Sequence, residues 1–108
     1  MDNMSSVRII KRTKLREYSN LHGSAKQPLE DWHKLTKAAE WTNLVDTKKT
    51  FPQADQVKVA SKRVTTIFNI GGNKFRLITA IHYKAKIVFL LCFLTHSEYD
   101  KNTWKNQL

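Results

Sequence analysis

The sequence is short of cysteine and of long apolar runs, and each shortage excludes a class of protein. Its 108 residues include one cysteine, Cys92, which has no partner for an internal disulfide. The longest apolar run, Ile87–Leu94, spans eight residues, whereas a membrane-spanning helix needs about 20. The first twenty residues carry basic charges but lack the apolar centre of a signal peptide. We therefore expect a soluble, cytoplasmic protein that does not enter a membrane.

Motifs for metal-dependent or acyl-transfer catalysis are also missing. No cluster of cysteine, histidine or carboxylate residues has the spacing of a metal site, and no G-x-S-x-G motif occurs. Gly71 and Gly72 are adjacent, but the residues around them do not form a phosphate-binding loop. Cys92 lies inside an apolar run and is interpreted as a packed thiol rather than a nucleophile. We expect neither a metal nor a cofactor.

Acidic residues are scarce relative to basic ones. Nineteen Lys and Arg residues stand against nine Asp and Glu residues, which gives a net charge of +10. A domain this basic indicates a polyanionic partner, either a nucleic acid or an acidic membrane face. Residues 63–108 are the most basic part, with seven bases and two acids. The length and the 41% hydrophobic content fit a single domain over residues 1–108.

The first part of the chain is predicted to be mainly helical. Val7–Ile10 fits a short strand, and Thr13 can cap a helix that ends at Gly23. A second helix has Pro28 in its first turn and ends near Trp41. The apolar positions expected on the inner sides of the two helices are Leu15, Tyr18, Leu21 and His22 in the first, and Leu29, Trp32, Leu35 and Ala39 in the second.

The rest of the chain changes from helical to strand periodicity. Residues 42–62 are irregular, with one capped turn at Asp46 and a polar loop at Gln53–Lys62. Three segments rich in Val, Ile, Thr and Phe then fit an antiparallel meander: Val64–Ile70, Lys74–Tyr83 and Ile87–Thr95. The glycine pair supplies the first turn, and the tail from His96 forms a short helix. The predicted fold is α+β, in the order strand, two helices, three strands and tail, with the helices on one face of the sheet.

Strand alternation and pairing predict a cluster of polar side chains at one end of the sheet. Lys74 and Arg76 share one face of their strand. A two-residue turn at the glycine pair puts Asn69 opposite Lys74, and a turn centred on residue 85 puts Lys74 opposite His96. A slip of one residue in that second turn would bring Thr95 to this face, although His96 stays at this end of the sheet. Within the next helical turn follow Tyr99 and Asp100.

These residue types fit RNA cleavage without a metal ion. The ribose 2′-hydroxyl must lose a proton as it attacks the adjacent phosphate, and the leaving 5′-oxygen must gain one. A histidine can transfer protons near neutral pH, a tyrosine can assist or stack on a base, and Lys or Arg can hold the phosphate. From the residues alone a second interpretation stays open, in which two cations and one histidine form a solvated strand end.

Several runs of this sequence strongly resemble the HigB family of toxins. The runs are Pro28-Leu29 with Trp32, Phe51–Asp55, Phe68–Leu77 and Thr95–Lys101. Asn73, Lys74 and Arg76 match the N-K-[FY]-R strand of that family. His96, Tyr99 and Asp100 match its H-x-E-Y-D segment. The resemblance extends from about Arg8 to Lys101, in the expected order.

The resemblance implies the RelE-like fold, a small antiparallel sheet packed by two N-terminal helices. It also implies an endonuclease that cuts mRNA, usually in the ribosomal A site. The implied partner is a helix-turn-helix antitoxin of the HigA type, which inhibits the toxin and represses the operon. The toxin would therefore reach operator DNA only through the antitoxin.

The resemblance leaves the individual roles of the matching residues open, because catalytic residues vary among members of the superfamily, and the roles that follow are our own expectation. The expected catalytic residues are His96, Lys74, Arg76 and Tyr99. His96 transfers a proton, the two cations stabilise the phosphate, and Tyr99 positions or assists. The expected RNA-contacting residues are Asn69, Asn73, Asp100 and Lys101. Two roles stay open: Asp100 either orients His96 or finishes the tail, and Asn73 either bonds the sugar–phosphate backbone or completes the hairpin.

Two other functions are weighed against this one. A ParE-type toxin has the same fold but inhibits DNA gyrase through a protein surface and needs no proton-transfer group, so His96 and Tyr99 beside cations argue against it. A non-catalytic RNA- or ribosome-binding module would use the positive charge alone. Any nucleic-acid complex of this charge weakens steeply with salt, so the products of the reaction, not the salt dependence, separate these functions.

Overall fold

The computed structural model describes residues 7–11 and 13–108, and its framework is a five-stranded mixed sheet. The strands are β1 (Arg8–Ile10), β2 (Asp55–Lys58), β3 (Val64–Ile70), β4 (Phe75–His82) and β5 (Ile87–Thr95). Their spatial order is β1-β5-β4-β3-β2, with β1 parallel to β5 and the other neighbours antiparallel. The predicted meander of β3, β4 and β5 is confirmed, but the purely antiparallel sheet is wrong because β1 adds a parallel edge. Residues 1–6 and Arg12 of the expected single domain lie outside the described residues.

The described residues form four α-helices and two 3-10 turns. The helices are α1 (Thr13–Leu21), α2 (Lys26–Lys37), α3 (Leu44–Thr50) and α4 (His96–Asp100), and the 3-10 turns lie at Gly23–Ala25 and Thr103–Asn106. The turn predicted at Asp46 is the longer helix α3. Asn43 caps it, since its side-chain oxygen accepts a hydrogen bond from the Asp46 backbone N–H at 3.0 Å. No helix in the described part of the chain is long and apolar enough to cross a membrane.

The buried sides of α1 and α2 differ from the prediction at two leucines. Leu21 and Leu35 are 75% and 49% exposed, although their spacing suggested inner positions. On α2 the buried residues are Leu29, Trp32 and Thr36. Thr36 comes two turns after Leu29 and shares its side of the helix, whereas Leu35 is rotated by about 100° from Thr36. The helix also ends at Lys37, before the predicted end near Trp41.

Strand β2 falls in the segment that was predicted to be a polar loop. Its residues are exposed apart from Val57, which is half-buried. The strand lies at the edge of the sheet and pairs with β3. An edge strand with one apolar residue carries no alternating hydrophobic pattern, so the sequence could not indicate it.

An aromatic core lies between the helices and the sheet. Phe68 of β3 is fully buried, and its ring packs against those of Trp32, Trp41 and Phe51 at centroid distances of 5.2–6.0 Å. Trp32 and Trp41 are 1% and 4% exposed. Aromatic side chains bury large apolar areas, so this cluster anchors α2 to the sheet.

Replacement of Phe68 by alanine is expected to lower the free energy of unfolding by about 3–5 kcal/mol, because it leaves a cavity at the centre of this cluster. Urea denaturation measures the loss. Val64→Ala on the same strand is the control, since Val64 is 48% exposed, and it is expected to cost less than about 1 kcal/mol. Equal losses in the two variants would contradict the central position of Phe68.

A smaller core covers the opposite face of the sheet. Val59, Ile67 and Ile78 are buried there, and Trp104 of the C-terminal tail packs onto them. By strand alternation this is also the face of Arg76, two residues before Ile78. The face that was open to interpretation as a solvated strand surface is therefore covered by the tail.

Candidate active site

The turn between β3 and β4 is longer than predicted, but the site side chains of the two strands stay on the expected face of the sheet. Gly71 and Gly72 have φ values of +65° and +70°, in the left-handed region that favours glycine. The loop extends to Lys74, so that Asn69 pairs with Arg76. The predicted pairing of Asn69 with Lys74 is therefore wrong by two residues. Because side chains repeat every second residue along a strand, a shift of two leaves them on the same face.

The register between β4 and β5 brings His96 to the predicted end of the sheet. Arg76 pairs with Leu94, as predicted, and the backbone N–H of His96 donates to the carbonyl of Lys74 at 2.9 Å. Leu91 forms a bulge in β5, opposite Ile78 and Thr79 of β4, and shifts the pairing by one residue in the half of the two strands that is farther from the site. The irregularity therefore falls away from the end that carries the predicted site.

The Arg76 guanidinium is buried and its terminal nitrogens are saturated. Arg76 is 8% exposed, and its Nη1 donates to the carbonyls of Asn73 at 3.2 Å and Phe75 at 3.1 Å. Its Nη2 donates to Oδ1 of Asn73 at 2.6 Å and lies 3.1 Å from Nδ1 of His96. The two nitrogens carry four N–H groups, which match these four acceptors. Asn73 thus completes the hairpin and also holds the guanidinium.

His96 connects Arg76 to Asp100. A guanidinium can only donate, so Nδ1 of His96 carries its lone pair and accepts. The other ring nitrogen, Nε2, lies 3.1 Å from Oδ2 of Asp100 and donates its proton to that carboxylate. The imidazole is held in one tautomer and one orientation between a cation and an anion. Of the two roles considered for Asp100, this contact favours the one that orients His96.

A capping box at the start of α4 fixes the position of His96. The Thr95 hydroxyl accepts from the Glu98 backbone N–H at 3.2 Å, and the Glu98 carboxylate accepts from the Thr95 backbone N–H at 2.8 Å. His96 is the first residue of the helix, and Asp100 follows four residues later on the same side. The T-x-x-E motif therefore sets the geometry of the His96–Asp100 pair.

Tyr99 lies against the guanidinium and is partly buried. The Cζ atom of Arg76 is 5.5 Å from the centroid of the Tyr99 ring, a cation–π contact. Burial raises the pKa of the Tyr99 phenol, as does the charge of Asp55, while the smaller effects of Arg76 and Asp100 oppose each other. The phenol therefore stays protonated at neutral pH and can donate a hydrogen bond, but it cannot act as a base.

Solvent reaches the outer side of this group. The side chains of His96 and Asp100 are 46% and 59% exposed, and Asn73 and Lys74 are exposed at the adjacent loop. The positive charge of Arg76 lies behind the imidazole, where lower polarity strengthens its electrostatic effect. A phosphodiester can approach the imidazole from solvent without displacing a structural element.

Six of the predicted site residues form one group, here called the polar cluster, in which Lys74 takes part through its backbone carbonyl and the other five through their side chains: Asn73, Lys74, Arg76, His96, Tyr99 and Asp100. Asn69 adjoins it as the strand partner of Arg76 and is half-buried. Lys101 is exposed after the end of α4, and its backbone N–H bonds the carbonyl of Glu98. Lys101 is close to the polar cluster because it directly follows Asp100 in the sequence.

Other chemical groups show different environments. Burial, with a smaller effect of Glu98, raises the pKa of the Cys92 thiol to about 11, so this residue is a neutral thiol at physiological pH. This agrees with the prediction of a packed thiol. Within residues 7–11 and 13–108, no group of three or more His, Cys, Asp or Glu side chains is arranged to hold a metal ion.

Comparison with known proteins identifies the family. Residues 25–102 match the HigB_toxin family, described as the RelE-like toxic component of a toxin–antitoxin system. The chain belongs to the HigB toxin family. The resemblance seen in the sequence is confirmed, and every predicted site residue lies inside the matched range. The α+β fold with a small sheet is consistent with the RelE-like description.

Individual relatives carry the same family name. The chain is 25% identical over 97 residues to the mRNA interferase HigB of Escherichia coli O6:H1 strain CFT073, which covers 90% of this chain and 92% of that protein. It is 32% identical over 53 residues to the mRNA interferase toxin HigB of Escherichia coli K12, which covers 49% of each chain. The mRNA interferase HigB of Shigella flexneri gives the same values.

Trp104 is a neighbour of the HigB polar cluster that the sequence analysis did not assign to the site. Its ring stacks on that of Tyr99, with centroids 5.2 Å apart and an interplanar angle of 19°. It lies beyond the range that matches the HigB family. An aromatic residue five positions after Tyr99, following a short helix, was the available signal, but its partner depends on how the tail folds back.

Proposed function

We propose that this HigB-family chain is an mRNA interferase, a ribonuclease that cuts mRNA by attack of a 2′-hydroxyl on the adjacent phosphate without a metal ion. The observation that carries the proposal is the contact between Arg76 and His96 at 3.1 Å, in a group open to solvent on the His96 side. This contact supports the proposal, because a positive charge beside an imidazole can stabilise the phosphate while the imidazole transfers a proton. The names of the relatives support mRNA as the substrate.

His96 acts as the general base in this mechanism. Arg76 occupies the Nδ1 lone pair in the free protein, and a phosphate oxygen competes for the same N–H because an anionic acceptor bonds more strongly than a neutral nitrogen. When the Arg76 N–H moves from Nδ1 to the phosphate oxygen, it both frees Nδ1 and donates a hydrogen bond to the phosphate. Nδ1 then takes the proton of the attacking 2′-hydroxyl, and the Asp100 carboxylate on Nε2 stabilises the imidazolium that forms.

Lys74 and Arg76 stabilise the charge that grows on the phosphate oxygens, Lys74 from the exposed loop and Arg76 from behind the imidazole. Tyr99 keeps its proton and positions the guanidinium through its ring. Asn69, Asn73 and Lys101 contact the RNA backbone at the edge of the cluster. The leaving 5′-oxygen takes its proton from Lys74 or water, and cleavage leaves a 2′,3′-cyclic phosphate and a 5′-hydroxyl.

Two macromolecular partners belong to this proposal. The family description names a toxin–antitoxin system, so one partner is an antitoxin. We propose that this antitoxin is of the HigA type and that it carries the toxin to operator DNA. We also propose that the mRNA is cut on the ribosome. The net charge of +10 supports association with ribosomal RNA as well as with the message.

The ends of the RNA products test the proposal. Purified protein is added to ribosomes translating a defined message, and in parallel, in excess, to the free message in EDTA. We expect cuts that leave 2′,3′-cyclic or 3′-phosphate ends in both reactions, with faster cutting on ribosomes. Products with 3′-hydroxyl ends, or cutting abolished by EDTA on free RNA, would contradict the mechanism. An intact message, together with inhibition of DNA supercoiling when the protein is added to DNA gyrase, would indicate a gyrase inhibitor instead.

A further inference from the structure

The C-terminal tail is fastened to the face of the sheet that carries the polar cluster. The Ala60 backbone N–H donates to the carbonyl of Lys105 at 3.0 Å, and the Ser61 hydroxyl donates to the carbonyl of Leu108 at 2.6 Å. Trp104, immediately before Lys105, is 3% exposed and packs into the smaller core. The tail therefore has a defined position relative to the sheet.

Trp104 holds Tyr99 in two ways. Its ring stacks on the Tyr99 ring, and its indole Nε1–H donates to the Tyr99 carbonyl at 3.0 Å. Helix α4 has five residues, and so short a helix is not stable alone and leaves its last carbonyls without partners inside the helix. The Tyr99 carbonyl accepts from the Asn102 backbone N–H at 3.1 Å, and the indole adds a second donor to it and a surface for the Tyr99 side chain.

The contacts continue from Tyr99 into the catalytic group. The Tyr99 ring lies against the guanidinium of Arg76, and Arg76 bonds Nδ1 of His96. A displaced Tyr99 would remove one wall of the guanidinium site and loosen α4, which also carries His96 and Asp100. Tyr99 therefore supports both Arg76 on β4 and the helix α4 that carries His96 and Asp100.

We propose that Trp104 is a positioning residue for RNA cleavage: its indole fixes the ring and backbone of Tyr99, and through them the placement of Arg76 against His96. The role of this residue, outside the matched range of the family, rests on the proposed ribonuclease function. Because positioning acts on the geometry of reaction more than on binding, its loss lowers kcat more than it raises KM.

Three variants test the proposal by cleavage kinetics on a defined RNA. Trp104→Leu keeps an apolar side chain but removes the ring, and we expect kcat to fall about 10- to 100-fold with KM changed less than about 3-fold. Trp104→Phe keeps a ring that can stack and is expected to restore kcat to within about 3-fold of the original. Trp41→Leu is the control, because Trp41 is equally buried but lies in the core on the helix side. It is expected to lower stability while the folded protein keeps its kcat.

A second measurement does not depend on RNA cleavage. The chain has three tyrosines, so labelling of the tyrosine Cζ carbon gives three resolvable NMR titrations, and Tyr99→Phe assigns one of them. The charged groups that act on the Tyr99 phenol are Asp55, Arg76 and Asp100. Loss of the indole exposes the phenol, so in Trp104→Leu its raised pKa falls toward the ordinary value. In Trp41→Leu the Tyr99 pKa stays unchanged.

The outcomes separate this inference from the proposed function. A shifted Tyr99 titration in Trp104→Leu, with no cleavage by the unchanged protein, would retain the positioning contact and reject the ribonuclease. Cleavage by the unchanged protein with an equal kcat in Trp104→Leu would overturn the inference. If Trp104→Leu does not fold, Trp104→Met fills the space without a ring and replaces it in both measurements.

Discussion

Replacement of Arg76 by alanine is expected to lower the rate of RNA cleavage about 10²- to 10³-fold, because a preorganised donor aimed at developing charge contributes on that scale. The change removes the positive charge behind the imidazole and the N–H that holds Nδ1 of His96. It also frees both oxygens of Asn73 that Arg76 now bonds. Single-turnover cleavage of a defined RNA measures the loss.

Two variants distinguish the geometry of Arg76 from its charge. Arg76→Lys keeps the charge but cannot reach several acceptors at once, so we expect about a tenfold loss. Lys84→Ala removes the same charge from an exposed turn at the far end of β4, about 25 Å away along the strand, and is expected to leave cleavage of bound RNA unchanged. Similar rate losses in Arg76→Ala and Lys84→Ala would reduce the role of Arg76 to general electrostatic attraction. Circular dichroism and urea unfolding check that each variant folds.

The nearness of Arg76 and His96 could be predicted from the sequence, because an error of two residues in strand register leaves each side chain on the same face of the sheet. The first turn was predicted two residues too short, which moved the partner of Asn69 from Arg76 to Lys74. An error of two residues preserves the face, whereas an error of one would have turned the cations into the helix-side core. The second turn has no glycine, and its pairing of His82 with Ile87 differs by one residue from a turn centred on residue 85. The bulge in β5 compensates for this difference, so the pairing of Arg76 with Leu94 agrees with the prediction.

The elements that were not predicted depend on contacts that a local pattern does not record. Strand β2 is polar and forms only because the edge of β3 is available to pair with it. Leu35 fitted an apolar stripe but faces solvent, since Thr36 takes the inner position on α2. Trp104 was expected only as part of a tail, and its contact with Tyr99 requires the tail to return across the sheet. Tertiary packing decides all three.

Replacement of His96 by alanine is expected to lower the rate of cleavage about 10²- to 10⁴-fold, the range for loss of a general base. His82→Ala provides the matched control, because His82 is an exposed histidine at the other end of β4, where it makes an edge-to-face contact with Phe89. It is expected to cleave at the unchanged rate. Both rates are measured in single turnover at saturating protein, so that weaker binding does not enter.

An RNA in which sulfur replaces the bridging 5′-oxygen identifies which proton His96 transfers. A thiolate leaves without being protonated, so this substrate needs a base for the 2′-hydroxyl but no acid for the leaving group. The contacts of His96 favour the base role, since Nδ1 is an acceptor and Nε2 already donates to Asp100. If His96 is the base, the loss of rate in His96→Ala persists in full on this RNA. A defect that largely disappears would make His96 the acid, and the proton of the 2′-hydroxyl would then have to go to another group of the polar cluster.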